Sequence, residues 1–129
     1  FKPNLRELKE GLHLDWDLGK TENLRKAVAL LQKNNKSKIT LITLSERGVY
    51  VKEGKQEHLL PAHVRSISDV SGAGDTVIAV ATLCLARKTS AAFLAALSNL
   101  AGGLVCEKVG VVSVDKKQLL SEAVTLLKL

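Results

Sequence analysis

The sequence has few aromatic residues, no methionine and only two cysteines. Phe, Trp and Tyr together make up 3% of the 129 residues, which argues against a stacking platform for single-stranded nucleic acid. Cys84 and Cys106 lack the spacing of metal ligands, and two thiols do not make a disulfide framework. We therefore expect both cysteines to be buried and reduced in the core of a cytoplasmic protein.

The sequence also lacks a signal peptide and an apolar run long enough to cross a membrane. The longest apolar run, from Ala91 to Cys106, is interrupted by Ser98, Asn99, Gly102 and Gly103, and is too short and too polar for a span. The chain opens on Phe1-Lys2-Pro3-Asn4. Because that opening has no initiator methionine, we expect the chain to be a fragment of a longer protein.

What is present describes one ordinary globular domain. Hydrophobic residues make up 46% and charged residues 25% of the chain, which suits a single domain with one core. The net charge of +6 comes from scattered residues such as Lys33, Lys36, Lys38 and Lys52. This scatter favours a solvated face around a site for an anionic substrate, with binding to an acidic partner as the alternative.

The first half of the chain predicts two helices and three strands. Pro3 and Asn4 fit the start of a short helix, and a polar connection containing Trp16 follows. The elements expected next are a helix from Thr21 to Asn34, a buried strand of a parallel sheet over 38–44, and an antiparallel hairpin that joins 48–51 to 56–60.

The second half predicts three helices. We expect an extended segment over Val64–Ile67, then a helix over Thr76–Ala86 that is apolar on most faces and hence central. Ser90 caps a second helix, from Ala91 to about Glu107, and residues 110–114 form an extended piece. Asp115 begins a last helix with Leu119, Leu120, Val124 and Leu127 on one side. These elements predict a layered α/β domain.

One motif carries the strongest chemical signal, the stretch Asp69-Val70-Ser71-Gly72-Ala73-Gly74-Asp75-Thr76. Its glycines let the backbone approach a ligand, and a helix that starts here directs free N–H groups at an anion. Asp75 falls in the first helical turn. An anion cradle beside a fixed carboxylate favours phosphoryl transfer, and the alternative is a plain turn that starts a helix.

A second motif, Asn4-Leu5-Arg6-Glu7, places an amide and a carboxylate on one face of a helical turn. Such a pair can hold Mg²⁺ waters or nucleotide phosphates, or it can be a helix cap with a surface carboxylate. Asn4, Ser45 and Gly72 each follow a strand or extended segment, so we expect them to share one edge of the sheet. His13, His58 and His63 are not clustered, and we assign them no catalytic role.

Together these motifs, in this order of elements, resemble the C-terminal half of a ribokinase-type (PfkB-type) carbohydrate kinase. The stretch from Asp69 to Asp75 matches the family signature DTxGAGD, except that Val70 stands where Thr is usual, and Asn4-x-x-Glu7 matches its NxxE motif. The resemblance covers essentially the whole chain. It implies a ribokinase-like three-layer α/β/α (Rossmann-like) sandwich with a β-hairpin, from which the sugar-binding half and the lid are absent.

The resemblance also implies roles for individual residues. Asp75 would be the general base, and the N–H groups of Gly72, Ala73 and Gly74 would stabilise the transferred phosphate. The remaining implied contacts are to ATP, for Asn4, Leu5, Arg6, Glu7, Ser45, Gly48 and Asn99; to Mg²⁺, for Glu7; and to a monovalent cation such as K⁺, for Asp69, Gly110 and Ser113. Asn99 could equally be an amide satisfied between helices, and Asp69 and Ser113 could be local caps.

Within the family, the sequence is most similar to the heptose 7-phosphate kinase domain of bifunctional bacterial enzymes. Thr43-Leu44-Ser45-Glu46-Arg47-Gly48 and Lys108-Val109-Gly110 carry that similarity, while Val49 and Glu107 depart from it. It implies ATP-dependent phosphorylation of the C1 hydroxyl in ADP-heptose and lipopolysaccharide synthesis, by a cytoplasmic enzyme that forms a homodimer through its lid. Two alternatives stay open, namely a kinase for another sugar or a nucleoside, and a nucleotide-binding module without chemistry. We expect no nucleic-acid or membrane partner.

Overall fold

The structure is a computed structural model, and it describes residues 1–128. Within these residues the elements follow in the order α1 (Leu5–Gly11), α2 (Thr21–Asn35), β1 (Ile39–Thr43), β2 (Val49–Glu53), β3 (Gln56–Leu60), α3 (Ala73–Ala86), α4 (Ala91–Cys106) and α5 (Lys116–Leu126). A short 3-10 turn, Ser45–Arg47, joins β1 to β2.

The three strands form an antiparallel sheet in the order β1-β2-β3. Thr43 pairs with Val49, and Val49 pairs with Leu60, so these residues share one end of the sheet, which we call the rim. The predicted hairpin of β2 and β3 is confirmed. The parallel pairing predicted for β1 exists only on its other side, where an Asn4–Thr43 bridge is parallel and the Leu41 N–H donates to the Phe1 carbonyl at 2.9 Å.

Alternate residues of a strand point to opposite sides of the sheet. Both sides of this sheet carry apolar residues, and helices cover both. Ile42, Leu44 and Tyr50 face α1 and α2 and form a core with Leu8, Leu18, Leu24, Ala27 and Val28. Leu41, Val49 and Val51 face α3 and α4 and form a second core with Val77, Val80, Ala81, Cys84, Ala91, Leu94, Ala95 and Ala101. The predicted three-layer α/β/α arrangement is therefore confirmed.

Side chains cap two of the helices as the sequence predicts. Ser90 accepts a hydrogen bond from the Phe93 N–H at 3.2 Å, and Asp115 accepts one from the Gln118 N–H at 2.7 Å. Cys84 and Cys106 are free and buried, which confirms their predicted place in the core. Among residues 1–128, no helix has the length and apolarity required to cross a membrane.

The prediction that α3 is buried on most faces is wrong. Val77, Val80, Ala81 and Cys84 are buried, but Ile78 and Leu85 on one flank of the helix and Leu83 on the other flank are exposed. The sheet and α4 can cover only one side of α3. The helix α3 therefore carries more apolar side chains than the described part of the chain buries.

Three further expectations need correction. On α5, Leu120 and Val124 are exposed and Ala123 is the buried residue, because the helix packs against α4 through a narrow stripe. The segments 64–67 and 110–114 are not in strands. Val64 and Ile67 are exposed, so the first of these segments crosses the surface outside the sheet.

A hydrogen-bonded network ties the sheet to α2. The Tyr50 hydroxyl, buried at 1% exposure, donates to Glu57 at 2.6 Å, and the Arg25 guanidinium donates to the other oxygen of the same carboxylate. The hydrogen bond from Tyr50 first, and then the contacts with Arg25, lower the pKa of Glu57. Burial and the neighbouring carboxylate raise the pKa of Tyr50.

This network predicts acid sensitivity. Because folding lowers the pKa of Glu57, its stabilisation is present above the ordinary carboxyl pKa and is lost as the pH falls through the lowered value. We expect Glu57→Gln to flatten the fall in unfolding free energy between neutral and acidic pH, measured by urea denaturation at a series of pH values.

The matched control is Glu22→Gln, because Glu22 pairs with Lys26 at 3.0 Å on the exposed surface of α2. Salt screens an exposed pair, so at high ionic strength the control should leave the pH profile close to wild type. A Glu57→Gln profile as steep as the wild-type profile would contradict the assignment.

Candidate functional site

The predicted anion cradle, Gly72–Asp75, forms the start of α3. Gly72 is the N-cap residue, with φ at +76° and no side-chain cap. A Cβ at Gly72 would lie 3.0 Å from Cγ1 of Val111, so glycine suits both the backbone angle and the close approach. Asp75 lies exposed in the first helical turn. The Ala73 N–H donates to the Val70 carbonyl at 3.3 Å, but no side chain caps the first turn, which is a favourable place for an anion.

Lys2 is a site residue that the sequence analysis missed. Its Nζ lies 3.9 Å from the position that a Cβ would occupy at Gly74, so an ammonium group stands beside the cradle. Lys2 is far from the motif in sequence. The sequence signal that could have identified Lys2 is its position two residues before Asn4, in the extended segment that leads to the predicted edge of the sheet.

Asp69 links the cradle to the loop before α5. Its Oδ1 accepts hydrogen bonds from the Ser71 hydroxyl at 2.7 Å and the Ser71 N–H at 2.9 Å, and its Oδ2 accepts one from the Gly110 N–H at 2.9 Å. These donors, with the Ser71 hydroxyl foremost, lower the pKa of Asp69. The carboxylate is therefore ionised and oriented. Ser113 lies exposed in the same loop.

Asn4 and Glu7 form a capping box at the start of α1. The Asn4 Oδ1 accepts from the Glu7 N–H at 2.7 Å, and the Glu7 Oε2 accepts from the Asn4 N–H at 2.8 Å. This geometry fits the capping interpretation and leaves the second oxygen of Glu7 outside the box. Of the two residues between them, Leu5 packs against the α1–α2 core, and Arg6 pairs with Glu10 at 2.7 Å.

The turn Ser45–Gly48 is held tightly against the end of β3. The Leu44 N–H donates to the Gly48 carbonyl at 2.8 Å. Gly48 is buried with φ at +96°, and a Cβ there would lie 2.0 Å from the Leu60 carbonyl oxygen. Ser45 is exposed at the mouth of the turn.

Asn99 connects α4 to the chain that leaves β3. Its Nδ2 donates to the Pro61 carbonyl at 2.8 Å. The amide is therefore engaged with a loop, not with another helix. The sequence prediction that Asn99 contacts a nucleotide is not tested by this bond.

Three of the predicted groups, namely Asn4, the turn Ser45–Gly48 and Asn99, lie at the rim. Asn4 forms a bridge with Thr43, and the turn Ser45–Gly48 comes shortly after Thr43 in the chain. Pro61 comes directly after Leu60 and accepts the hydrogen bond from Asn99. Lys2 connects this edge to the cradle. Across residues 1–128, no group of three or more His, Cys, Asp or Glu side chains could hold a metal ion, so a cation here would need carbonyls, hydroxyls, phosphates or water as further ligands.

Two curated proteins with similar sequences are bifunctional proteins of bacteria. The chain is 38% identical over 108 residues to bifunctional protein HldE of Helicobacter pylori, and 38% identical over 114 residues to bifunctional protein HldE of Campylobacter jejuni. These matches cover 84% and 88% of this chain but 23% and 24% of those proteins. The chain thus spans about a quarter of the length of these relatives.

Solved structures share the fold. Phosphofructokinase-2 from Escherichia coli, in complex with substrates and products, superposes with a TM-score of 0.87 at 21% identity, over 98% of this chain and 40% of that one. Arabidopsis thaliana ribokinase, complexed with ribose and ATP, gives a TM-score of 0.81 at 23% identity, over 93% of this chain and 39% of that one.

A family model supplies the assignment that the motifs and the fold suggest. The model for the pfkB family carbohydrate kinases matches residues 1–118, a range that includes both sequence motifs and every strand. The elements from α1 to α4, the cradle at the start of α3 and the capping box at the rim all fall inside it. The chain therefore belongs to the pfkB family of carbohydrate kinases.

Proposed function

We propose that this chain is the nucleotide-binding part of a kinase that transfers the γ-phosphate of ATP to a sugar hydroxyl. The observation that carries the proposal is the uncapped first turn of α3, with the carboxylate of Asp75 in that turn and the ammonium of Lys2 beside Gly74. Phosphoryl transfer requires positioning and charge stabilisation more than covalent help. The cradle offers both.

Each part of the cradle has a role in this proposal. Asp75 accepts the proton of the attacking hydroxyl, which can leave late as the new bond to phosphorus forms. The N–H groups of Gly72, Ala73 and Gly74 donate to the oxygens of the transferred phosphate, where negative charge is greatest. Lys2 adds a positive charge on the same side.

The residues at the rim suit ATP and its metal ion. Mg²⁺ prefers few carboxylates and several waters, and Glu7 has one oxygen outside the capping box. Bound Mg²⁺ would neutralise phosphate charge. Asn4, Leu5, Arg6 and Glu7 are proposed to contact ATP or its metal ion near the phosphates, and Ser45, Gly48 and Asn99 to contact ATP at the rim.

A monovalent cation is proposed behind the cradle. Asp69, Gly110 and Ser113 offer carboxylate, carbonyl and hydroxyl oxygens, the donors that a hard cation prefers. The ionised state of Asp69, held by hydrogen bonds from Ser71 and Gly110, fits that group. One solved structure of Escherichia coli phosphofructokinase-2 is in complex with potassium.

We further propose that the sugar-binding half and the lid belong to a part of the full protein outside these residues, and that a homodimer forms through that lid. Two features support a missing neighbour. The flanks of α3 expose Ile78 and Leu85 on one side and Leu83 on the other, and the extended segment Phe1–Asn4 is hydrogen-bonded to β1 along one side. The chain also matches only 40% of the length of the phosphofructokinase-2 structure.

The proposed substrate is D-glycero-D-manno-heptose 7-phosphate, phosphorylated at its C1 hydroxyl in ADP-heptose and lipopolysaccharide synthesis. The similarity to bifunctional protein HldE and the matching turn after β1 support it. The test is a panel of acceptors offered with ATP to the full-length protein, namely heptose 7-phosphate, fructose, fructose phosphates and ribose. Preferred turnover of another acceptor would redirect the substrate, and absence of turnover on all of them would refute the proposed reaction.

Lys2 provides a test of the phosphate site. We expect Lys2→Met to raise the KM for ATP or lower kcat by about 10- to 100-fold, since a charge-assisted contact to phosphate contributes roughly 1.5–3 kcal/mol. Steady-state kinetics at low and high salt measure the effect. Lys9→Met is the matched control, because Lys9 is exposed in the last turn of α1. Equal kinetics for the two variants would remove Lys2 from the site.

A further inference from the structure

The linker, which we define as residues 61–72, carries the chain from β3 to the cradle without a helix or a strand. Its larger apolar residues do not anchor it. Val64 is 104% exposed, and Ile67 and Val70 are also exposed. Hydrophobic packing therefore contributes little to its position, and polar contacts must fix it.

Arg65 is the exception among these exposed residues. Its side chain is only 7% exposed, and its Nη1 donates to Glu107 at 2.7 Å while its Nη2 donates to Glu122. Glu122 also accepts from Gln118 at 3.2 Å. One guanidinium thus joins the linker to the end of α4 and to α5, through two carboxylates that its planar fork suits.

The Arg65 side chain packs against α4 at a position that is occupied by glycine. A Cβ at Gly103 would lie 3.1 Å from the Arg65 Nε, so the side chain lies close against the backbone of α4. That Nε is buried without a hydrogen-bond partner among the described residues. Burying an arginine with an unsatisfied N–H is costly, and a buried ion pair is poor evidence for stability alone. The buried Arg65 side chain is better explained by the linker conformation that it stabilises.

Two further anchors of the linker lead to α4, and the Asp69 carboxylate ties its end to Gly110 in the loop before α5. Asn99 holds Pro61 at its start, and the Ser68 and Asp69 N–H groups donate to the Cys106 carbonyl near its end, at 2.8 and 3.2 Å. Arg65 is the side-chain anchor between them. We infer that Arg65, with Glu107 and Glu122, is a positioning residue that fixes the linker and thereby sets where the cradle faces Lys2. Only the effect of this positioning on catalysis rests on the proposed kinase function.

The test has one readout that needs no kinase activity. In the full-length protein, we expect Arg65→Met to increase hydrogen exchange at the hydrogen-bonded amides within 68–73 at least 10-fold, while the amides of 91–100 keep their protection. Unchanged exchange at these amides within 68–73 would overturn the clamp. Glu107→Gln, which keeps the shape of the side chain, should give a smaller increase and serves if Arg65→Met does not fold.

The second readout is kinetic. Because a displacement of about 1 Å can cost on the order of 10²-fold in rate, we expect Arg65→Met to lower kcat by about 10- to 100-fold and to leave the KM for ATP within about twofold. Arg65→Lys, which cannot bridge two carboxylates in the same way, should recover part of the rate. Tyr50→Phe is the control, because it removes a buried hydrogen bond on the α2 side of the sheet and should leave kcat unchanged.

The outcomes separate the two proposals. A rise in KM with unchanged kcat would mean that Arg65 contacts the nucleotide directly and would overturn the positioning role. Increased exchange with unchanged kcat would also overturn it. If the wild-type protein phosphorylates no sugar, the proposed function fails, and hydrogen exchange alone then decides whether the clamp exists.

Discussion

Replacing Asp75 with Asn is expected to lower kcat of the full-length protein by about 10²–10⁴-fold, the range typical of a lost general base. Asn has nearly the same shape and fits the first turn of α3, but it cannot accept the proton of the sugar hydroxyl. The N–H groups of the cradle and the rim residues are unaltered. Binding of ATP, measured by isothermal titration calorimetry, should therefore stay close to wild type.

A second helix supplies the control for this change. Asp115 is the N-cap of α5 and accepts the Gln118 N–H, so Asp115→Asn removes a carboxylate from a helix start with no proposed catalytic role. It should keep wild-type kcat, because Asn also caps well. Wild-type turnover in Asp75→Asn would contradict the assignment of the base. A large loss of ATP binding would indicate that Asp75 acts in binding and not in proton transfer.

Replacing Gly48 with Ala is expected to lower the free energy of unfolding by roughly 2–4 kcal/mol, from backbone strain at positive φ and from overpacking. The new Cβ would lie 2.0 Å from the Leu60 carbonyl oxygen and 2.6 Å from the Ala62 nitrogen. Neither atom belongs to a flexible side chain. The end of β3 must therefore move, and the rim must move with it.

Gly54→Ala separates the two causes. Gly54 also has a positive φ, at +57°, but nothing lies within 4 Å of a Cβ there. It should cost only about 1 kcal/mol, the penalty for a left-handed conformation. Urea denaturation of both variants measures the difference. Equal losses of stability would mean that the backbone angle alone matters and that the close approach to Leu60 is relieved without cost.

The sequence predicted the parts of this fold that depend on local signals. The helix from Thr21, the hairpin and the caps Ser90 and Asp115 follow from periodicity, turn residues and hydroxyl or carboxylate groups at helix starts, all of which act over a few residues. The family match of the motif Asp69–Asp75 likewise depended on adjacent residues. These predictions are confirmed.

What failed depends on contacts between distant segments. The apolar composition of α3 could not reveal that one side lacks a covering partner among the described residues, since burial depends on neighbours and not on sequence period. Lys2 could not be placed beside Gly74 because some seventy residues separate them. No signal in the sequence pointed to Arg65, because only the fold places it between Glu107 and Glu122.

The register of the hairpin has a practical consequence for experiments. Glu53 pairs with Gln56 at one end of the pair and Val49 with Leu60 at the other, so the turn at Gly54-Lys55 lies roughly 17 Å from the rim, at about 3.4 Å per residue. Exposed turns of small or polar residues tolerate insertions best. A fluorophore or an affinity tag attached at Lys55 would therefore report on the folded domain while leaving the rim unchanged.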